Sequence, residues 1–355
     1  MWKLAAERPE IEGWIDRVRW VSENSEPVEQ RLYDADQSMG SNKELQIIVF
    51  DALDRTAATW DDRARLLDGL LENLLDFRTF RAVRLKAFVR PDMLVGPEIG
   101  RFPDASKILV GAVDLLWSIR QLFGLLFHYL GNAPLAGDTF RAHCMETFGQ
   151  GFVEIPGMAT WRAPGPMDID ETLQRRIFHS LAGEWMGTNP RRGYPYTWLP
   201  NHLADAHEQV SPRSFLAALR EAAEETAECY QAHPLTLHYE ATKRGVQKAS
   251  QIRVAEVAED FPWIRQVMEP LKDLTVPCEM TEIALRWTQS RLHDRLDSDL
   301  RGVLPRRAGE FSQGLCDQLV TAGIFARMPD GRINLPDVYR VGFGLRRLGG
   351  VKPLR

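Results

Sequence analysis

The sequence has little that would fix its class at a glance. Its four cysteines (Cys144, Cys229, Cys278, Cys316) stand far apart. They form no C-x-x-C pair and no zinc-ligand spacing, so they read as free thiols rather than a disulfide framework or a metal site. The eight histidines show no H-x-x-x-H or H-E-x-x-H arrangement, and none is assigned to metal. Acids outnumber bases, for a net charge of −5 and a pI near 6.0, which argues against a surface made for nucleic acid throughout. The first ten residues lack the apolar core of a secretory leader. The apolar stretch 108–130 contains Asp114, Arg120, Gln121 and His128, costly groups at a bilayer centre. It is expected to be one helix, whole or with a break, buried in protein, within a chain that does not enter a membrane and resides in the cytoplasm. Lysine is scarce too, with only eight in 355 residues, and no G-x-x-x-x-G-K-[ST] phosphate loop occurs anywhere.

What is present is ordinary globular material, 44% hydrophobic and 26% charged, enough for two or three domains. The most informative stretch is Leu45-Gln46-Ile47-Ile48-Val49-Phe50-Asp51-Ala52-Leu53-Asp54-Arg55. Its apolar run reads as a strand buried on both faces that ends abruptly on an acid. Acids then open a helix at 61–63, and Leu66, Leu67, Leu70, Leu71, Leu74 and Leu75 make its apolar stripe. A second strand, 82–89, ends at Arg90-Pro91-Asp92. Strand, crossover helix and strand of these lengths predict a right-handed parallel βαβ unit. Asp51, Asp54 and Arg90 then share one sheet edge, where open α/β sheets place ligands.

Beyond residue 105 the period is helical. Helices are expected at 140–148, at 169–186 with Asp168 or Asp170 as cap, from Ser211-Pro212, and at 245–258, 261–274 and 314–323. A Gly/Pro-rich loop is expected at 149–166, and 193–200 is too rich in proline for a helix. Residues 324–335 read as a hairpin around Asp330-Gly331, and helix plus hairpin is the closing half of a winged helix.

This order resembles the P-loop ATPases, most closely the bacterial STAND and AAA+-related branch, from about residue 45 to the C-terminus. The residues carrying the resemblance are the Asp-Ala-Leu-Asp-Arg strand end, the Leu-rich helix, Val-Arg-Leu-Lys-Ala-Phe-Val-Arg-Pro-Asp and the tail from Asp330-Gly331-Arg332 to Gly349-Gly350-Val351. It implies α/β followed by mostly α. Residues 1–104 would be a partial P-loop NTPase sheet, 105–240 a helical lid and 241–355 a winged-helix-like domain. It further implies ATP and Mg²⁺ as cofactors, with Asp51 as the Walker B acid at the metal. Asp54 would be the water-orienting acid, Arg90 the sensor-1 group and Arg213 the sensor-2 arginine. A role in bacterial signalling or defence goes with the family.

The missing phosphate loop departs from that pattern. It makes the chain either the C-terminal part of a longer ATPase or a degenerate member, and a poor hydrolase in both cases. The incomplete sheet leaves an edge for a partner or a second copy to cover. The competing expectation is a non-catalytic regulatory protein that touches DNA or protein through its C-terminal domain. Arg340, Arg346, Arg347, Lys352 and Arg355 would make the contact, with Arg301, Arg306 and Arg307 upstream.

Overall fold

The computed structural model describes residues 13–57, 60–94, 102–299 and 311–353. They fall into two compact units, one up to Asp114 and the other from Leu115 on.

The first unit begins with α1 (Trp14–Glu23) and α2 (Ser25–Ser41). The expected βαβ unit follows as β1 (Gln46–Phe50), α3 (Trp60–Asp76) and β2 (Val83–Ala87). β1 and β2 run parallel with Gln46 opposite Val83 and Phe50 opposite Ala87. Leu67 and Leu71 of the α3 stripe are buried with Met93, and Leu53, Leu74, Val89, Phe102 and Ile108 pack against them. α2 is fastened to β2 by Asp36, whose carboxylate accepts the backbone N–H groups of Arg81, Ala82 and Val83 at 2.6–3.2 Å.

The expectation that β1 is buried on both faces fails. Ile47, Ile48 and Val49 are 47%, 38% and 54% exposed. A parallel pair is normally covered on both faces, but among the described residues β1 has one neighbouring strand only, so its outer edge is open. A short α4 (Ala105–Leu109) closes the unit. Of the two forms expected for 108–130, whole or broken, the broken one is found. Residues 112–118 are non-helical, and a new helix begins where Ser118 and Gln121 form a reciprocal capping box.

That helix, α5 (Ile119–Gly131), opens the second unit and is followed by α6 (Gly137–Phe148). The Gly/Pro-rich loop holds a minimal hairpin, β3 (Val153–Glu154) with β4 (Trp161–Arg162). Next come α7 (Pro166–Ile169) and α8 (Glu171–Ala182), the latter capped by Asp170, which accepts the N–H of Thr172 and of Leu173. α9 (Pro195–Leu203) corrects the reading of 193–200. Pro195 sits at the first helical position, where no N–H is needed. The hydrogen bond lost at Pro200 is offset by burial of Tyr196, Leu199 and Leu203. Tyr196 stacks on Phe123 at 4.1 Å, and Phe178 and Phe215 meet the same ring edge-on at 4.9 and 5.2 Å. These four rings join α5, α8, α9 and α10 (Pro212–Cys229) into one core.

α10 packs along α11 (Tyr239–Asp260) so closely that a Cβ on Gly245 would lie 2.1 Å from the Ala218 carbonyl oxygen. Helices on either side of residue 240 thus share one core. α12 (Ile264–Met268) continues as a 3-10 turn to Leu271. Then come α13 (Met280–Gln289), α14 (Leu292–Asp299), α15 (Phe311–Thr321), the antiparallel pair β5 (Ala326–Arg327) and β6 (Ile333–Asn334), and α16 (Asp337–Gly342). Gly331 in the hairpin turn has φ +89°, as an Asp-Gly turn requires. Ile333 also bridges Cys278, which brings the segment before α13 onto the hairpin. The chain is α/β followed by mostly α.

Candidate functional site

In a parallel ladder both polar groups of a residue point to the same neighbour. Gln46 donates to the Ala82 carbonyl, and Phe88 donates to the Phe50 carbonyl at 2.9 Å. Asp51 therefore leaves the sheet beside Phe88, with Arg90 two residues further on at the same edge. Asp51 is exposed, and its Oδ1 accepts the N–H of Ala52 at 2.7 Å. Ala52 has φ +53°, a left-handed turn taken by a residue with a Cβ, and it swings the chain into the 3-10 turn Leu53–Arg55. The Asp54 side chain lies outside the described residues. Arg90 is half-buried.

Arg213, the fourth residue expected here, belongs to the second unit. It stands in the first turn of α10, where its guanidinium meets Glu256 at 2.8 Å. No family model, curated protein or solved structure matches this chain.

A tightly held Mg²⁺–ATP needs several oxygen ligands together with a cradle of amides and a lysine. The described side chains at this edge offer one carboxylate, already folded onto its own backbone, and one guanidinium. Among the described residues no three His, Cys, Asp or Glu side chains converge to hold a metal. The described donors at this edge do not by themselves make a Mg²⁺–ATP site, and no hydrolytic step follows from them.

The C-terminal arginines are also placed differently from expectation. Arg340 is not a surface cation: it is 1% exposed. Its Nε donates to Asp337 Oδ1 at 2.7 Å, and its other nitrogens reach the carbonyls of Leu345 (3.3 Å) and Val351 (2.6 Å). Arg347 approaches the same carboxylate at 3.5 Å, and His202 Nε2 faces it at 3.5 Å. Burial pushes His202 below the ordinary histidine range, against the opposing pull of the Trp198 carbonyl and Asp337. Arg346 pairs with Asp273 at 2.7 Å. Lys352 is exposed, with its carbonyl held by Gln247. Arg301, Arg306, Arg307 and Arg355 lie outside the described residues. On the hairpin and its helix, Arg327 meets Asp317 and Arg332 meets Asp330. Arginines already matched with carboxylates are poor phosphate ligands, because each contact must first break an ion pair.

One arrangement was invisible in the sequence. His143 Nε2 lies 3.0 Å from Ser180 Oγ, with Thr147 Oγ1 3.3 Å from Nδ1. The spacing is that of a base and a nucleophile, but the Ser180 hydroxyl donates to the Ile177 carbonyl at 2.7 Å. The histidine therefore donates to the serine, the opposite of activation.

Proposed function

We propose that this protein is a non-catalytic interaction protein whose first unit completes its sheet with β1 of a second copy. The observation that carries this reading is the exposed apolar strand with an open edge. Ile47 and Val49 direct their backbone groups away from β2, by the parallel pattern given above. Monomeric proteins guard such an edge with lysine, proline or an inward charge. The strand Gln46–Phe50 carries none of these, and its neighbours Leu45 and Phe88 are exposed as well. Two β1 edges meeting antiparallel about a two-fold axis pair every outward N–H and carbonyl. They also cover like residues with like, the isologous contact commonest in homodimers.

Sedimentation velocity on the full chain tests this. The expected result is a dimer that Ile48→Lys and Val49→Pro each convert to monomer. Val49 faces the open edge, so proline there removes an outward N–H and spares the β1–β2 ladder. A monomeric wild type, or a dimer indifferent to both substitutions, overturns the reading.

A second reading, a nucleotide-responsive switch of the P-loop ATPase kind with a winged-helix output, rests on Asp51 and Arg90 sharing one edge of a parallel pair. Its test is equilibrium ATP binding by the full chain, expected to vanish in Asp51→Ala. Its output arm is the α13–α15 and hairpin module, and salt-sensitive DNA binding without nucleotide would favour the regulatory alternative.

A further inference from the structure

A cleft of about 350 Å³ lies wholly within the second unit, a volume suited to a small molecule. Three elements build it. Gln247, Gln251 and Val254 recur at four and three residues along α11, so they share one helix face. α12 and its 3-10 turn supply Arg265, Met268 and Glu269, with Lys272 just beyond. The backbone that ends α16 and turns through Phe343 and Gly344 makes the third wall. α16 approaches α11 closely enough that a Cβ on Gly342 would stand 2.7 Å from the Ser250 carbonyl oxygen.

The floor is apolar and the rim is polar. Val254, Met268 and Val341 are buried, whereas Gln251, Arg265, Glu269 and Lys272 are exposed. The charges on that rim are unequally matched. Glu269 is met by Arg295 at 3.8 Å. Among the described residues neither Arg265 nor Lys272 has a carboxylate within 4 Å, whereas Arg253, Arg340 and Arg346 of the same unit each do. Lys272 lines the mouth. Its stem lies over Gly344, 3.4 Å from where a Cβ would be, and the Asp273 N–H donates to the Gly344 carbonyl at 3.0 Å.

We infer that this cleft binds a small organic anion, a carboxylate or phosphate monoester carried on a compact apolar body. Two unmatched cations over a low-dielectric floor concentrate positive potential in the cleft. Arginine offers a planar fork to an anionic oxygen pair and lysine a point charge. The apolar body would displace water from Val254, Met268 and Val341, and the Gln251 amide is free to accept or donate beside it.

The test is a titration of the full chain, labelled with ¹³C at its methionine methyls, against phenyl phosphate. The Met268 signal is assigned by its loss in Met268→Leu. A saturable shift of that signal is expected, with affinity about tenfold weaker for inorganic phosphate and for phenol alone. The double variant Arg265→Gln/Lys272→Gln, altered only at exposed positions, should bind at least about tenfold more weakly. A Met268 signal that does not move, or an affinity that survives the double substitution, overturns the proposal. Phosphate binding as tightly as phenyl phosphate would overturn the apolar half, and phenol doing so would overturn the anionic half.

Discussion

Arg340 and Asp36 are one device used twice, a charge withdrawn from solvent and satisfied chiefly by backbone. Arg340 spends its fork on Asp337 and on the carbonyls of Leu345 and Val351, holding the last turns of the chain against α16. Removing it leaves Asp337 buried with only the longer contacts to Arg347 and His202. An uncompensated buried charge costs about 3–5 kcal/mol. Arg340→Met is therefore expected to lower the unfolding free energy of the second unit, read by urea titration, by that order. Arg340→Lys should recover little, because an ammonium cannot reach three acceptors along a plane. An Arg340→Met chain as stable as wild type would refute the assignment. Asp36 works from the other sign. Burial alone would raise its carboxyl, but the N–H groups of Val83, Arg81 and Ala82 outweigh that and hold it below the ordinary carboxylate value. A depressed acid stabilises at pH values above its unfolded pKa, and the benefit is lost as pH falls through the lower, folded one. Asp36→Asn should destabilise the first unit at neutral pH and flatten its acid limb below about pH 4, read by the hydrogen exchange of β2 amides.

At the level of elements, α11 begins with an unusual cap. His238 Nδ1 accepts the N–H of Glu240 at 3.3 Å while its ring stacks on Tyr230 at 3.9 Å. A cap that accepts must be unprotonated there. Burial and the neighbouring His233 both hold His238 below the ordinary histidine range, as burial does for His179 and His202. For a base lowered in the folded state, the unfolded chain takes up the proton first. Stability is then present above about pH 6.5 and declines as pH falls below it. His238→Asn keeps an accepting cap without the titration. It should remove part of the pH 7-to-5 destabilisation in denaturant titrations at both pH values; an unchanged pH dependence would count against the cap. Elements of this kind were legible to different depths. The parallel pairing of β1 with β2 followed from an apolar run, a partly alternating one and the helix between them. The exposure of β1 did not follow, because a continuous apolar strand reads the same whether or not neighbours cover it. The sequence allowed for a break within 108–130, but its place at 112–118, marked by Gly111 and by Ser118 with Gln121, was eclipsed by the hydropathy around them. A buried arginine looks like any other in sequence; the hint at Arg340 was an aspartate three residues earlier on the same helix face. The anion cleft had no local signal, since its walls come from segments some seventy residues apart that only the close crossing at Gly342 brings together.

For the whole molecule, the two units should answer differently to protein concentration. Self-association through β1 links the folding of the first unit to mass action: whatever binds the folded form alone stabilises it by RT ln(1 + c/Kd), with c its free concentration. The second unit has its own core, built on the Phe123, Phe178, Tyr196 and Phe215 cluster, which owes nothing to that strand. Hydrogen exchange measured across a hundredfold range of chain concentration should therefore slow for β1 and β2 amides as concentration rises. Because the monomer fraction of a dimer falls with the square root of concentration, complete coupling would give up to about 1.4 kcal/mol of added protection over that range. Amides of α10 and α11 should not change. Ile48→Lys should abolish the dependence in the first unit without altering the second. Because Ile48 is already partly in water, lysine there costs the monomer little, so a lost concentration dependence would report the interface rather than a damaged fold. Protection of β1 that is high and independent of concentration would mean that its apolar side chains need no second copy, and the role argued for this strand would fall with it.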